Sequence, residues 1–350
     1  MRKRCPLLTV LILFLFVTAI LFGVYSPDAI AASRDKPLVL RFNTVVKSEG
    51  APGSAGQQAF KKELEKLTDG RVKVQYYYGW TLANNTEAVV GGLQSGGFEV
   101  SDWGLGSFAE YSKAFLPLDV PYLITTKKVA YDVIRGEPGR MMRDRFLKDT
   151  GIKVLKISDL GFRHITNSKR PITSPADLKG LKIRTQPNPL HLQGFKAFGA
   201  SPTPMAFAEL FTALQQGVVD GQENPIYNII AMRIHEVQKY MSLTYHLWNA
   251  GGFIMSDKYY KSLPEDIRTA IDKAAVAARE AVIEDIAKSE PGWLSEIKKK
   301  TQVTELTNDQ ILAFQKIAKE EWPKMASTIG KDYFNSVRDQ IEKVQNKTKP

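Results

Sequence analysis

Strand patterns and helix patterns alternate along most of this chain, and this alternation restricts the possible folds more than any other feature. Apolar strand patterns at residues 38–46 and 72–78 flank an amphipathic helical pattern at residues 54–68. The same order continues with helices at 84–93, 127–135 and 138–149 and with strands at 98–103 and 152–157. Alternation of this kind is typical of a sheet with helices packed on its faces, so we predict an α/β fold.

A second block of the same alternation begins after Gly161. Strands are predicted at residues 162–166 and 181–185, and helices at residues 189–198 and 206–215. A chain of 350 residues is long enough to divide into two folding units. We therefore expect two lobes.

One helical pattern is much longer than the others. Ser262 and Glu265 have the spacing of a capping box, and the pattern continues to Glu290 before Pro291 and Gly292 end it. At about 1.5 Å per residue, such a helix extends on the order of 39 Å and could lie across both lobes. The remainder, to about residue 343, is predicted to be helical and rich in polar residues.

The N-terminus has the pattern of a secretory signal peptide. A basic start is followed by an apolar run at residues 7–24 and by small residues at 29–32. We predict a signal peptide at residues 1–31 and a periplasmic mature protein, and an uncleaved membrane anchor is the alternative. The single cysteine, Cys5, lies within this signal, so the mature chain has no disulfide and no thiolate site.

The net charge of +11 could indicate a nucleic-acid partner, but the distribution of charge argues against one. Basic residues are dispersed, and the densest run, at 298–300, has no interleaved aromatic residues. The common enzyme motifs are also missing. The four histidines lack metal-ligand spacing, and neither H-E-x-x-H nor G-x-S-x-G occurs. The glycines at 104 and 106 with Ala109 match a dinucleotide fingerprint, yet the acidic residue expected about 20 positions later is absent. We therefore predict that the protein is not an enzyme and that it binds no cofactor, no metal and no nucleic acid.

Two arginines are the first candidates for ligand binding. Arg163 and Arg184 lie at the ends of short strand patterns, where ligands bind in open α/β sheets. A guanidinium group can hold a carboxylate through two parallel hydrogen bonds. The alternative for either arginine is a structural ion pair with an acidic residue, for which the candidates are Asp159, Asp177 and Glu223.

Polar and aromatic residues near turns form a second group of candidates. Asn224 precedes Pro225, so it is predicted to cap a helix, to contact the ligand, or to do both. Four aromatic residues could belong either to the core or to the wall of a pocket: Trp80, Trp103, Phe207 and Trp248.

The segment from Gly161 to Pro225 resembles the dicarboxylate-binding solute receptors of tripartite ATP-independent periplasmic (TRAP) transporters. The motifs that carry the resemblance are Gly-Phe-Arg at 161–163, Asp-Leu-Lys-Gly-Leu-Lys-Ile-Arg at 177–184, Gly-Ala-Ser-Pro-Thr-Pro-Met-Ala-Phe at 199–207 and Asp-Gly-Gln-Glu-Asn-Pro at 220–225. The similarity continues more loosely through Trp248 and Asn249 into the long helix.

The resemblance implies a periplasmic-binding-protein-like fold with a ligand cleft between the lobes and the long helix spanning both. Lobe I would comprise residues 33–160 and about 250–289, and lobe II residues 161–249 and about 290–350. It also implies that Arg184 is the chief carboxylate clamp, Arg163 a second anion contact and Asn224 a polar contact. Phe207 would pack beside the ligand, and we add the remaining candidates to the ligand-binding set: Trp80, Trp103, Trp248 and Asn249.

The first lobe departs from the pattern of the family. The bulky Trp80 and Trp103 put a plain four-carbon dicarboxylate in doubt, so the ligand classes left open are a dicarboxylate, a uronate, an aromatic acid and a keto acid. We predict a monomeric receptor that delivers an organic acid to membrane permease subunits driven by an ion gradient, without an ATP site. The alternatives are a sensor of the same fold that signals to a membrane partner and, third, a periplasmic hydrolase.

Overall fold

The computed structural model describes residues 32–348, so the predicted signal peptide lies outside the described residues. Within this range no helix is long and apolar enough to cross a membrane. The strands are β1 Leu38–Asn43, β2 Val72–Tyr77, β3 Val100–Gly104, β4 Ile152–Asn167, β5 Lys182–Thr185, β6 Ser201–Pro204, β7 Gly221–Pro225, β8 Tyr240–Ser256 and β9 Gln302–Glu305. The α-helices are α1 Ala55–Leu67, α2 Thr86–Ser95, α3 Lys127–Arg135, α4 Glu137–Thr150, α5 Pro189–Ala197, α6 Leu210–Gln215, α7 Ile226–Ala231, α8 Asp257–Ser262, α9 Glu265–Lys298, α10 Asn308–Ile329 and α11 Lys331–Thr348.

The strands form a mixed sheet in the order β2-β1-β3-β8-β4-β7-β5-β6, with β9 added beside β8. At one end β1 pairs in parallel with β2 and β3, and at the other β5 pairs in parallel with β6 and β7. These two parallel blocks are joined by the long antiparallel pair β4 and β8. The predicted α/β fold is confirmed, and the two parallel blocks of the sheet correspond to the two expected lobes.

The central pair of strands differs from the prediction. The strands predicted at residues 152–157 and 162–166 are the two halves of β4, which has 16 residues. Its partner β8, with 17 residues, was not predicted. Nearly every residue of β8 is buried, polar and apolar alike, so its sequence lacks the apolar–polar alternation that identifies a strand with one exposed face.

The long helix α9 also differs at both ends. It begins at Glu265 after Pro264, and no capping box forms, because the Ser262 hydroxyl donates to the carbonyl oxygen of Tyr259 in the preceding helix. Pro291 lies inside the helix, which continues to Lys298. Since Pro291 is exposed, the backbone carbonyl that loses its hydrogen bond can be solvated by water. With 34 residues the helix is about 51 Å long.

Helix α9 connects parts of the molecule that are distant in sequence. It packs on α1, which follows strand β1 of the first block, and on α7, which follows strand β7 of the second block. It also packs on β4 and β9, which both pair with β8. The alanines of its predicted apolar face, including Ala270, Ala274 and Ala278, are buried against the strands of the first block. The prediction that this helix spans both lobes is therefore confirmed.

Candidate functional site

A cavity of about 390 Å³ lies where the two parallel blocks of the sheet face each other. Side chains from β3, β5 and β7 reach it near the carboxyl ends of these strands, and β4, β8 and α9 contribute further lining residues. Seven of the eight predicted ligand-binding residues line it: Trp80, Trp103, Arg163, Arg184, Phe207, Asn224 and Asn249.

Arg184, on β5, is a buried cation that has no carboxylate partner in the part of the chain that the structure describes. Its side chain is 1% exposed, and Nε and Nη2 donate to the carbonyl oxygen of Met205 at 3.0 Å and 2.6 Å. Among residues 32–348, no acidic side chain lies within 4.0 Å of its guanidinium group. Burial lowers the pKa of Arg184 to about 9, so the group is charged at neutral pH but poorly compensated. Such a group attracts an anion into the cavity.

Arg163 adopts the structural ion pair that the sequence left open. Its Nε and Nη2 bind the carboxylate of Glu223, with 2.8 Å from Nη2 to Oε1, and Nη2 also donates to the Glu223 carbonyl oxygen at 2.6 Å. Both side chains are buried. The charge of Arg163 is thus neutralised by the protein, and its role as an anion contact stays a prediction.

Glu223 is the centre of a buried network behind the cavity. In addition to Arg163, it contacts His191 Nδ1 at 3.0 Å and His246 Nε2 at 3.3 Å. Burial disfavours its charge, but Arg163 and His191 outweigh burial and hold the pKa of Glu223 well below its usual range. His191 also contacts Asp119 at 3.3 Å, and its pKa is raised by Glu223 and Asp119 against the opposing effect of burial. This network holds Arg163 and β7 in place.

Asn224 does not cap a helix, so that interpretation was wrong. It belongs to β7, and α7 begins at Ile226 after Pro225. Residues 221–225 pair with β4, so Asn224 is held in the strand and cannot serve as the N-cap of α7. Its side chain accepts a hydrogen bond from Asn228 at 2.9 Å and donates to Gln222. Asn224 therefore lines the cavity, but its side-chain amide already makes two hydrogen bonds within the protein.

Three aromatic side chains form a wall of the cavity. The ring centroid of Trp80 lies 4.8 Å from that of Trp103 and 5.9 Å from that of Phe207. The guanidinium group of Arg184 lies 5.6 Å from the Phe207 centroid, so the wall is continuous with the clamp. Trp80 has φ +58°, a strained conformation for a bulky residue, and follows Gly79 with φ +64°. Its indole Nε1 is buried and has no hydrogen-bond partner within residues 32–348.

Trp248 lies away from the cavity, in contrast to the prediction. It is 1% exposed and packs within the hydrophobic core that also contains Phe108 and Phe146. Its Nε1 donates to Asp159 Oδ1 at 2.7 Å. The neighbouring Asn249 points to the opposite face of β8 and lines the cavity, because successive side chains of a strand alternate between faces.

We expect Trp248→Phe to lower the free energy of unfolding by roughly 2–4 kcal/mol, because it removes packed volume and a buried hydrogen bond. Ligand affinity should stay within about twofold of the wild-type value, since the residue does not reach the cavity. Urea denaturation and calorimetric titration measure the two quantities. A loss of affinity without a loss of stability would return Trp248 to the ligand site.

The polar residues of the cavity that the sequence analysis missed include a group of four: Gln57, Asp102, Lys156 and Ser158. They lie on α1, β3 and β4, and each is at most 9% exposed. Strand periodicity groups Lys156 with Ile152 and Val154, but the pairing of β4 with β8 is irregular between Val154 and Lys156, so this pattern does not reveal where Lys156 lies. For Gln57 the sequence gives no signal either, since a glutamine in an amphipathic helix is ordinarily exposed.

The ionisable groups of this cluster have strongly shifted pKa values. Burial raises the pKa of Asp102 to about 6, although hydrogen bonds from Thr44, Val45 and Gln57 oppose the shift. Burial also lowers the pKa of Lys156 to about 7, and the nearby charge of Asp102 opposes that shift. The Lys156 ammonium group donates to Ser158 Oγ at 2.6 Å and lies 3.8 Å from the centre of the Phe253 ring.

The chemistry of this cavity is that of binding. A buried arginine without an acidic partner among residues 32–348, an aromatic wall and a polar cluster are gathered in one cavity of a two-lobed α/β protein. These features define a solute-binding protein.

The family described as bacterial extracellular solute-binding protein, family 7, matches residues 42–328. The chain belongs to this family, which consists of transport receptors and not of enzymes. The C4-dicarboxylate-binding periplasmic protein of Rhodobacter capsulatus is 31% identical over 307 residues, covering 87% of this chain and 91% of that protein. The 2,3-diketo-L-gulonate-binding periplasmic protein of Escherichia coli K12 is 35% identical over 230 residues, covering 65% and 70%.

Solved structures extend the similarity to the whole fold. The sugar acid binding protein of Advenella mimigardefordensis, in complex with galactonate, superimposes on this chain with a TM-score of 0.83 at 29% identity. The match covers 88% of this chain and 99% of that one. Other similar structures are named as TRAP periplasmic solute-binding proteins. The resemblance to TRAP solute receptors is therefore confirmed.

Proposed function

We propose that this protein is a periplasmic receptor that captures a small organic acid in the cavity and delivers it to the membrane permease subunits of a TRAP transporter. Arg184 supports the proposal more than any other single feature. It lines the cavity, is buried and charged, and lacks an acidic partner within the described part of the chain. A ligand carboxylate would supply the missing negative charge and two hydrogen-bond acceptors.

The central strand pair is where we place the hinge between the lobes. Pairing of β4 with β8 is irregular between Asp159 and Phe162, which brackets Gly161. Gly161 has φ +94°, a conformation that favours glycine, and its N–H donates to Asp159 Oδ1 at 2.7 Å. The boundaries proposed for the lobes, near residues 160 and 250, face each other here, because Asp159 pairs with Ala250. Closure of the lobes around a ligand would bend the molecule at this point.

The receptor acts as a monomer in this proposal, with lobe I at residues 33–160 and about 250–289 and lobe II at residues 161–249 and about 290–350. No feature of the described residues favours the alternative of a sensor over that of a transport receptor. Uptake of the acid by vesicles that contain the permease subunits, with and without this protein, separates the two functions.

A thermal-shift screen of the mature protein tests the proposal. The panel contains dicarboxylates, aldonates, uronates, keto acids and aromatic acids, with neutral sugars as controls. A ligand at 100 times its dissociation constant adds about 2.7 kcal/mol of stability, which raises the melting temperature by several degrees. We expect such a shift with at least one class of acid and none with the neutral sugars. The absence of a shift with every acid would contradict the proposed function.

A further inference from the structure

The loop between β1 and α1 contacts helix α7 beside the cavity, at a position where only a glycine fits. Gly53 in this loop and Tyr227 in α7 both line the cavity, and they belong to different lobes in the proposed division of the chain. From this contact we infer that Gly53 is a positioning residue for ligand binding. It lets lobe I pack directly on the Tyr227 ring of lobe II, and this packing sets the distance between the lobes around the ligand. The inference rests on the proposed function.

There is no space for a side chain at Gly53. A Cβ atom added to this residue would lie 2.5 Å from both Cζ and Oη of Tyr227, and closer still to Cε2. Carbon atoms in contact prefer separations of about 3.5–4.0 Å, so any larger residue must displace either the ring or the loop. The φ of +80° at Gly53 is a second reason for a glycine, because other residues rarely adopt it.

The Tyr227 ring is held on its other sides and cannot easily move away from the loop. The residue is 8% exposed, and its ring centroid lies 5.9 Å from that of Trp293 on α9, the helix that packs against α7. The next residue of α7, Asn228, donates from its side chain to Asn224 on β7. A side chain at position 53 would therefore push the ring into the cavity or push the lobes apart.

Either movement changes the space in which a ligand binds. Gly53 and Tyr227 line the same cavity as Arg184, so a ring displaced into the cavity takes volume from the ligand. Lobes that are held apart would leave the ligand exposed to water, and they would also separate Trp80 from Phe207, whose ring centroids lie 5.9 Å apart. Binding should thus weaken although Gly53 has no side chain that could contact the ligand.

Gly50 provides a matched control in the same loop. Its φ of +78° is close to that of Gly53, but an added Cβ would meet no atom of the described chain within 4 Å apart from its chain neighbours. Gly50 is also not among the residues that line the cavity. Alanine carries similar backbone strain at either position, so a difference between Gly53→Ala and Gly50→Ala reports the contact with Tyr227.

Calorimetric titration of the mature protein and its variants tests the inference. The probes are one acid from each class of the thermal-shift panel: succinate, D-galactonate, D-galacturonate, pyruvate and benzoate. For the acid that binds the wild type most tightly, we expect Gly53→Ala to weaken affinity by about tenfold or more. Gly50→Ala should stay within about threefold of the wild type. In stopped-flow measurements the loss should come mainly from faster dissociation, because lobes that cannot pack together hold the acid for a shorter time.

Substitutions of Tyr227 show whether the effect passes through its ring. Leucine lacks the Cε2, Cζ and Oη atoms that the new methyl group would meet, whereas phenylalanine keeps Cε2 and Cζ. When Tyr227→Leu is already present, Gly53→Ala should weaken binding further by no more than about threefold. When Tyr227→Phe is present, the further loss should remain about tenfold or more. A general disturbance of the loop by alanine would give the same loss in both cases.

The possible outcomes separate this inference from the proposed function. A folded Gly53→Ala protein that binds as tightly as Gly50→Ala overturns the inference and leaves the proposed function intact, and so does a loss that persists beside Tyr227→Leu. If Gly53→Ala does not fold, the double variant with Tyr227→Leu decides: restored folding and binding support the inference, and an unfolded double variant overturns it. If the wild type binds none of these acids, the proposed function is contradicted and the inference with it.

Discussion

Replacement of Arg184 by alanine is expected to weaken binding of the acid by roughly 30-fold to several thousand-fold, or about 2–5 kcal/mol. The reason is that Arg184 provides a positive charge in the cavity with no acidic partner among residues 32–348, and its guanidinium group is buried where water cannot replace it. Calorimetric titration with the acid found by thermal shift measures the loss. The affinity for every acid should fall by a similar factor, because all of them carry the carboxylate that Arg184 binds.

Two further substitutions make this result specific. Arg184→Lys keeps the charge but loses the two parallel donors, so it should give an intermediate affinity. Lys182→Ala is the matched control, since Lys182 lies on the same strand with its side chain exposed. We expect wild-type affinity for the control. An unchanged affinity in a folded Arg184→Ala protein would remove Arg184 from the ligand site.

Glu223→Gln is expected to have the largest effect on stability, lowering the free energy of unfolding by about 3–5 kcal/mol. The substitution preserves shape but leaves Arg163 buried without a counter-charge, and it replaces one of the two carboxylate oxygens that contact His191 and His246 by an NH₂ group. Urea denaturation at neutral pH measures the difference. The control is Glu236→Gln, because Glu236 also has two cationic partners, Arg233 and Lys300, but at the surface, where ion pairs contribute little.

The effect of Glu223 has a defined dependence on pH. Because the pKa of this carboxyl is lower in the folded than in the unfolded protein, its ionised form stabilises the fold above the unfolded value of about 4.5. That stabilisation is lost as pH falls toward the lower folded value. The difference in stability between wild type and Glu223→Gln should therefore be full at pH 7 and shrink in acid. A difference that is constant across this range, or equal to that of the control, would contradict the role of Glu223.

Local patterns in the sequence predicted most of the elements because each element buries one face in a regular way. The helix at Lys127–Arg135 was predicted at the observed residues, and α1 and β2 were within one residue at each end. The long strand β8 was not found, since it is buried on both faces and includes polar residues that are satisfied only by the assembled fold. Secondary structure without periodicity cannot be recognised from one sequence alone.

In the candidate site, too, some residues could be predicted from local sequence patterns and others are brought together only by the assembled fold. Arg184 could be identified because the end of a strand and the family motif both point to it. For Arg163 the sequence left the ion pair and the ligand contact equally open, and only the pairing of β4 with β7 brings Glu223 against it. Gln57 and Asp102 are 45 positions apart and meet through tertiary packing, which no local pattern records. Trp248 could not be separated from Trp80 and Trp103 by sequence, because the sequence shows turn or strand-end signals near all three, although Trp248 lies in the middle of β8.

A crystal structure of the protein with its tightest-binding acid tests the central claim most directly. We expect the carboxylate to accept two hydrogen bonds from Arg184, at about 2.7–2.9 Å, inside the cavity bounded by Trp80, Trp103 and Phe207. An acid found outside this cavity, or one whose carboxylate contacts Lys156 while Arg184 binds no part of it, would contradict the account.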